Sequence, residues 1–346
     1  MKLTLASLLV PPLLLLALVP GFAQRPAATA LVPAPATDAG PFQPQLIAPG
    51  GIILTLYPPT SSLLKRERLG EAEKYNTATG GKGPITNVIN IHNPSIEVHL
   101  ATDRSLNGAA VIVVPGGGHQ ILWVGPEGAD YVPYFDKLGV STIILRYRLR
   151  VDGYEPTTDA VHDAFQAIRL VRAHAAEWKL DPAKIGIVGF SAGAELSAPA
   201  ALFFDEFAQH NSEAQDPLAK VSPRPDFVGV IYPGPSPFTK NPATPIPANV
   251  PPSFIACAGS GDRVHALWAT DYFTAMLKAS VPNLEMHIYG RGGHGVGGKE
   301  RNTIPYGSWR ERFVDWFRDL GFLGTPGNPT KAAADVAAYE KRAATK

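Results

Sequence analysis

The sequence holds one cysteine, Cys257, among 346 residues. No disulfide can form within the chain, so stability has to come from a core. It also lacks an excess of either charge: 31 basic residues stand against 30 acidic ones, for a formal net charge of +1. Neither sign is gathered into a block, which argues against nucleic acid or a polybasic membrane surface as the main partner. Paired-cysteine and H-E-x-x-H zinc patterns are missing too, and nothing in the sequence asks for a metal or an organic cofactor. The apolar run near the start, Leu8 to Val19, is interrupted by Pro11-Pro12 and falls short of the ~20 residues that span a bilayer. With Met1-Lys2-Leu3 before it and the small residues Gly21 and Ala23 after it, it reads as a signal peptide over 1–23, cleaved near Ala23. The alternative is an uncleaved anchor. Cleavage implies a secreted or periplasmic protein with no stable membrane insertion.

What is present is ordinary globular material, 45% hydrophobic and 18% charged, enough for one α/β domain of about 270 residues. Residues 24–46 are rich in Pro and Ala and read as a flexible leader. A domain is expected over 47–324 and a polar, Ala-rich tail over 325–346, either a frayed helix or disordered. The stretch 57–84 is polar and Gly-containing, and is read as irregular covering structure.

Beyond it strands and helices alternate. Strands are expected at 96–100 (an edge strand, from its alternation), 109–114, 140–147, 185–189, 227–232, 253–258 and 284–289. Helices are expected at 127–138, 158–177, 266–278 and 308–320. This order implies an α/β fold with a mostly parallel central sheet covered by helices on both faces.

Gly189-Phe190-Ser191-Ala192-Gly193 has the form of a nucleophile elbow. A serine hydroxyl is a weak nucleophile until a sharp strand-to-helix turn presents it to a base. Such a string arises by chance in about one chain in ten of this length, so placement decides. Here it follows the strand Lys184 to Val188 and precedes a small-residue helix start, the context the motif requires. Acyl transfer also needs donors for the developing oxyanion, each worth ~3–4 kcal/mol. Pro115-Gly116-Gly117-Gly118-His119 follows an early buried strand, and the backbone N–H groups of Gly117, Gly118 and Ala192 are the candidate donors.

The acid and base should follow in the order Asp, then His. Asp262 stands just beyond the strand 253–258 and His294 just beyond 284–289, where a parallel sheet presents its carboxyl ends. His265 is the nearest rival base, but it leads into the next helix; Asp226 precedes its strand and is a weaker acid. His119, Gln120, Trp123 and Glu195 are candidates for the pocket. Trp123 could stack on a sugar ring or simply be buried beneath a loop. Glu195, four residues after Ser191 and so on the same helix face, could contact substrate or hold a loop. Arg146 and Arg148 could pair with carboxylates or meet acidic sugars.

Two motifs are declined. Gly290 to Gly295 matches G-x-G-x-x-G but has no returning strand after it, and Gly293 to Lys299 continues with Glu300 where a phosphate loop needs Ser or Thr.

The Pro-Gly-Gly-Gly-His loop, Glu127-Gly128, Tyr147-Arg148-Leu149 and Gly-Phe-Ser-Ala-Gly-Ala-Glu resemble the secreted bacterial α/β-hydrolases of the carbohydrate-esterase kind, labelled acetylxylan or feruloyl esterase or xylanase-like. The resemblance runs from about Ser95 to Leu323. It implies the α/β-hydrolase fold, a triad of Ser191, Asp262 and His294, no cofactor, and an acylated carbohydrate as substrate, with deacetylation of xylan fragments as the expected reaction. Lipase-like relatives begin their oxyanion loop His-Gly-Gly-Gly. Pro115 stands there in this chain, which disfavours that group and leaves the role of His119 open. The alternatives are a feruloyl or general small-ester esterase, a peptidase, or an exported binding protein without turnover.

Overall fold

The computed structural model describes residues 41–80, 82–210, 216–295 and 305–345. The expected signal peptide and most of the expected leader lie outside these residues.

Side-chain alternation along single strands sets the layering. In β5 (Ala110–Val114), Val111 and Val113 enter one hydrophobic cluster while Ala110, Ile112 and Val114 enter the other. Strand side chains point to opposite faces in turn, so a run that is apolar throughout marks a strand covered on both sides. The same division runs through β7 (Ile185–Phe190), where Ile185 and Ile187 face one cluster, Val188 and Phe190 the other. One face is covered by α2 (Val161–Ala173), α3 (Ala194–Ala200), α4 (Phe204–His210), α5 (Pro237–Lys240) and α6 (Arg263–Lys278), the other by α1 (Val132–Asp136) and α7 (Trp309–Asp319).

The remaining strands of this sheet are β1 (Ile52–Thr55), β4 (Ser95–His99), β6 (Ser141–Arg146), β8 (Val228–Ile231), β9 (Ser253–Ala258) and β10 (Glu285–Tyr289). The eight lie in the order β1-β4-β6-β5-β7-β8-β9-β10. β1 and β6 flank β4 antiparallel, and every other pairing is parallel. This is the mostly parallel, doubly covered sheet of the α/β-hydrolase fold. The carboxyl ends of β5, β7, β8, β9 and β10 therefore open on one edge, where ligands of such sheets bind.

Four local expectations are corrected. The strand at 96–100 is not an edge: β4 lies between β1 and β6, and all five of its residues are buried. Its polar alternation faces a buried ion pair rather than water. Glu97 accepts from Arg146 Nη2 at 2.7 Å, His99 Nε2 at 2.8 Å and the Ile47 N–H at 2.7 Å. The stretch 57–84 is not wholly irregular. β2 (Lys74–Thr79) pairs antiparallel with β3 (Lys82–Ile89), held by pairing more than by burial, and so it shows little apolar pattern.

The expected helix at 127–138 shrinks to a 3-10 turn at Ala129–Tyr131 and the short α1, with the Gly128 backbone outside helical geometry at φ −144° and ψ −84°. The helix at 158–177 opens on a wide π turn at Pro156–Ala160 and ends at Ala173. The tail carries a further helix, α8 (Lys331–Ala343), capped where Thr330 Oγ1 accepts from the Ala333 N–H at 3.0 Å. Its alanine content favours helix, and burial of Ala332 and Val336 docks it. Among the described residues no helix is long and apolar enough to cross a membrane.

The buried Glu97–Arg146 pair yields a stability prediction. Glu97→Ala leaves the Arg146 guanidinium uncompensated where both side chains are 0% exposed. A loss of about 3–5 kcal/mol in urea unfolding is expected.

Candidate active site

Ser191 sits at the carboxyl end of β7, in a 3-10 turn (Ser191–Gly193) that leads into α3. Its φ is +52°, a left-handed conformation that costs a residue with a Cβ on the order of 1–3 kcal/mol and is held only where surrounding structure imposes it. Gly193 is what lets the turn approach β5 so closely: a Cβ there would lie 2.0 Å from the Val114 carbonyl oxygen. The result is a serine lifted clear of its strand. Its Oγ lies 2.7 Å from His294 Nε2.

His294 Nδ1 lies 2.8 Å from Asp262 Oδ2, so the three side chains form one continuous hydrogen-bonded line. The loops carrying Asp262 and His294 are joined by a parallel bridge between Gly261 and Gly293. A Cβ on Gly261 would fall 1.8 Å from the Gly292 carbonyl oxygen, so this bridge requires glycine at 261.

The second oxygen of Asp262 is engaged as well. His265, in the first turn of α6, holds its Nδ1 2.5 Å from Asp262 Oδ1. The His265 and His294 rings stack with centroids 3.8 Å apart. Burial opposes ionisation of Asp262, but the hydrogen bonds from His265 and His294 together outweigh it and hold the carboxyl at about 2. His265 is thus no free rival to His294 but a second support of the same carboxylate, brought there because a helix starts directly at Asp262. Asp262, His265 and His294 also offer ligand atoms within 4.8 Å of one another, a set able to hold a metal ion. Both imidazoles already spend Nδ1 on the carboxylate, the arrangement of a base with its orienting acid.

The Gly loop stands against the elbow: a Cβ on Gly116 would fall 2.8 Å from Ser191 Cβ. Gly117, Gly118 and His119 take φ values of +133°, +63° and +58°, so the backbone coils tightly there. Among the described residues neither Gly117 nor Gly118 donates its N–H to a protein acceptor. Ala192, whose N–H was paired with theirs from the sequence, follows Ser191 in the same turn.

The loop is tied down by Glu127. Its Oε2 accepts from the Gly116 N–H at 2.6 Å, and its Oε1 accepts from the Tyr232 hydroxyl at 2.9 Å. Burial raises its carboxyl above the usual range, against the pull of these two donors. Tyr232, at the end of β8, meets the His294 ring edge-on at 5.1 Å. Glu127 therefore connects the Gly loop to the wall of the base. Glu127→Ala is expected to lose about 1–3 kcal/mol of stability, because two buried donors lose their acceptor, and to lower kcat about tenfold as the loop loosens. Denaturant unfolding and turnover of a chromogenic ester measure the two effects.

Sequence reasoning did not assign roles to Glu127 or Tyr232. Tyr232 had a signal, standing at the carboxyl end of a parallel strand; Glu127, read as helical, had none outside the resemblance. Of the four pocket candidates, His119 and Glu195 line one cavity and Gln120 and Trp123 do not. Trp123 is 41% exposed, not buried. Arg148 is paired with Asp163 of α2 and Arg146 with Glu97 of β4, both deep in the fold. Asp226 accepts from the Ile185 N–H and from Arg172, at the opposite end of the strands. Cys257 is buried in β9, where burial and then the charge of Asp262 push its thiol up to about 12; it is no competing nucleophile.

The BD-FAE family model matches residues 96–231. The acetylxylan esterase of Xylanibacter ruminicola is 27% identical over 236 residues, covering 62% of this chain and 45% of that protein. Endo-1,4-beta-xylanase B of Butyrivibrio fibrisolvens is 29% identical over 141 residues, covering 40% and 21%. The chain thus spans less than half the length of these curated relatives. Among solved structures, the acetyl ester-xyloside bifunctional hydrolase of Caldicellulosiruptor lactoaceticus superposes with a TM-score of 0.59 at 28% identity, over 67% of this chain and 90% of that one. The thermophilic esterase Est2 of Thermogutta terrifontis shares the fold, with a TM-score of 0.57 at 22% identity over 76% of this chain and 96% of that one. The chain has the α/β-hydrolase fold and is similar to an acetylxylan esterase and to an acetyl ester-xyloside hydrolase.

Proposed function

We propose that this protein is a serine carboxylic-ester hydrolase that removes acetyl groups from plant polysaccharide fragments such as xylan, outside the cytoplasm. The observation that carries the chemistry is the line Ser191 Oγ, His294, Asp262, with contacts of 2.7 and 2.8 Å. In this reading His294 Nε2 takes the Ser191 proton as Oγ attacks the ester carbonyl. The N–H groups of Gly117, Gly118 and Ala192 receive the oxyanion, and His294 returns the proton to the leaving alcohol. Water, activated by the same imidazole, then clears the acyl-enzyme. Asp262 fixes the His294 tautomer and stabilises its charged form. The acetyl and xylan assignments are supported by the likeness to the acetylxylan esterase and the acetyl ester-xyloside hydrolase, and the extracytoplasmic location by the N-terminal sequence.

Release of acetate and of ferulate from acetylated and feruloylated xylan tests the substrate. Acetate is expected to be the product. Ferulate alone would move the assignment to a feruloyl esterase, and hydrolysis of simple esters with neither acid released would end the carbohydrate reading while leaving the hydrolase.

A further inference from the structure

A cavity of about 320 Å³ is framed by segments that leave the carboxyl ends of β5, β6, β7 and β8. His119 and Glu195 are part of a polar lining that also includes Thr157, Lys240, Asn241 and Thr244, while Leu196, Pro199 and Pro235 belong to apolar walls. The elbow and the cavity share structure. Glu195 is four residues after Ser191, and the Gly234 N–H donates to the Ser191 carbonyl at 3.4 Å one residue before Pro235.

His119 is held there against two costs. It is 3% exposed with φ +58°, and among the described residues neither ring nitrogen has a hydrogen-bond partner. Buried polar groups are nearly always paired, and strained residues persist where function uses them. Its edge-on contact with the Tyr147 ring at 6.1 Å engages only the ring and satisfies no nitrogen. The nearest carboxylate oxygen, Glu195 Oε2, is 3.7 Å from Nε2, too far for a direct hydrogen bond but able to share an inserted oxygen atom.

An acetyl group carries only a methyl beyond its carbonyl and would leave most of this volume empty. A longer apolar acyl chain would fill it but leave the imidazole unpaired. A hydroxyl both donates and accepts, matching a carboxylate beside an imidazole, and the C–H face of a sugar ring packs on proline and leucine. We propose that this cavity seats the alcohol half of the ester, a sugar ring whose free hydroxyl is bound jointly by His119 and Glu195. The proposal rests on the ester-hydrolase reading above and makes these two residues determinants of specificity.

The test compares kcat/KM of wild type, Glu195→Gln and His119→Phe on acetylated xylo-oligosaccharide, 4-nitrophenyl acetate and 4-nitrophenyl butanoate. The ratio of oligosaccharide to nitrophenyl acetate is expected to fall about 10-fold to 100-fold in each variant, mainly through KM. Deacetylated xylo-oligosaccharide should bind Ser191→Ala protein measurably in calorimetry and about tenfold more weakly once Glu195→Gln is added, which reads the site without turnover. Equal losses on oligosaccharide and nitrophenyl acetate would overturn the proposal, making the pair a support of the elbow. A changed butanoate-to-acetate ratio with an unchanged oligosaccharide ratio would overturn it in favour of an acyl pocket, as would a wild type that cleaves nitrophenyl esters but neither cleaves nor binds the oligosaccharide. A wild type that cleaves no ester removes the hydrolase reading and this proposal together, an outcome distinct from the others.

Discussion

Ser191→Ala is expected to reduce turnover of a chromogenic acetyl ester by about 10⁴–10⁶-fold and to abolish covalent labelling by a serine-directed phosphonate. The size of the effect follows from the geometry. Ser191 Oγ is the group aligned with His294 Nε2 at 2.7 Å, and the described alternative in this region, Cys257, has its thiol buried and pushed up to about 12. Stability should change little, because Ala bears the same backbone strain at φ +52° and only a solvent-side hydrogen bond is lost. Equal labelling of the alanine variant would rule out Ser191 as the nucleophile.

Asp262→Asn is expected to lower kcat by about 10⁴-fold with KM nearly unchanged. The carboxylate accepts from two imidazoles at once, through Oδ2 to His294 and Oδ1 to His265. An amide can accept from only one of them; its NH₂ faces the other nitrogen and forces that ring into the wrong tautomer or out of position. The same two bonds carry a pH signature. The folded-state carboxyl is held at about 2 against a reference of 3.8, so its contribution is fully present above about pH 4 and is lost as pH falls through about 2. A depression of this size corresponds to roughly 2 kcal/mol, with the side chain only 6% exposed. Wild type should therefore exceed Asp262→Asn in unfolding free energy by about that amount at neutral pH, with the gap closing between about pH 4 and pH 2. A gap independent of pH across that window would contradict the double hydrogen bond.

The readings that matched the structure share one cause. β5, β7 and β9 are short apolar runs because both their faces are covered, and a pattern that covers every position is visible in one dimension. Ser191 and Asp262 were legible because each comes soon after such a strand, and His294 because it comes soon after the parallel edge strand β10; the carboxyl end of a parallel strand is a place defined by local sequence. Errors arose where burial was polar or pairing was local. Glu97 and His99 made β4 look half wet, although their partners Arg146 and the Ile47 N–H lie some 50 residues away in the chain. The β2–β3 hairpin has few buried residues, so no apolar period marked it. Glu127 looked helical because a carboxylate beside a helical run carries no sign that it will reach back to Gly116 and across to Tyr232.

By itself, then, the sequence determined the layered α/β architecture, the tight turn at Ser191 and the placing of Asp262 and His294 after later strands, since these depend on period and on residues near strand ends. Only the tertiary structure decided that His265 shares Asp262 with His294, that Glu127 and Tyr232 link the Gly loop to His294, and that His119 lies buried beside Glu195 with no hydrogen-bond partner for its ring nitrogens among the described residues. Each is a contact between side chains from different elements. Such contacts are fixed by how the strand ends converge in space, a geometry that no local pattern in the chain encodes.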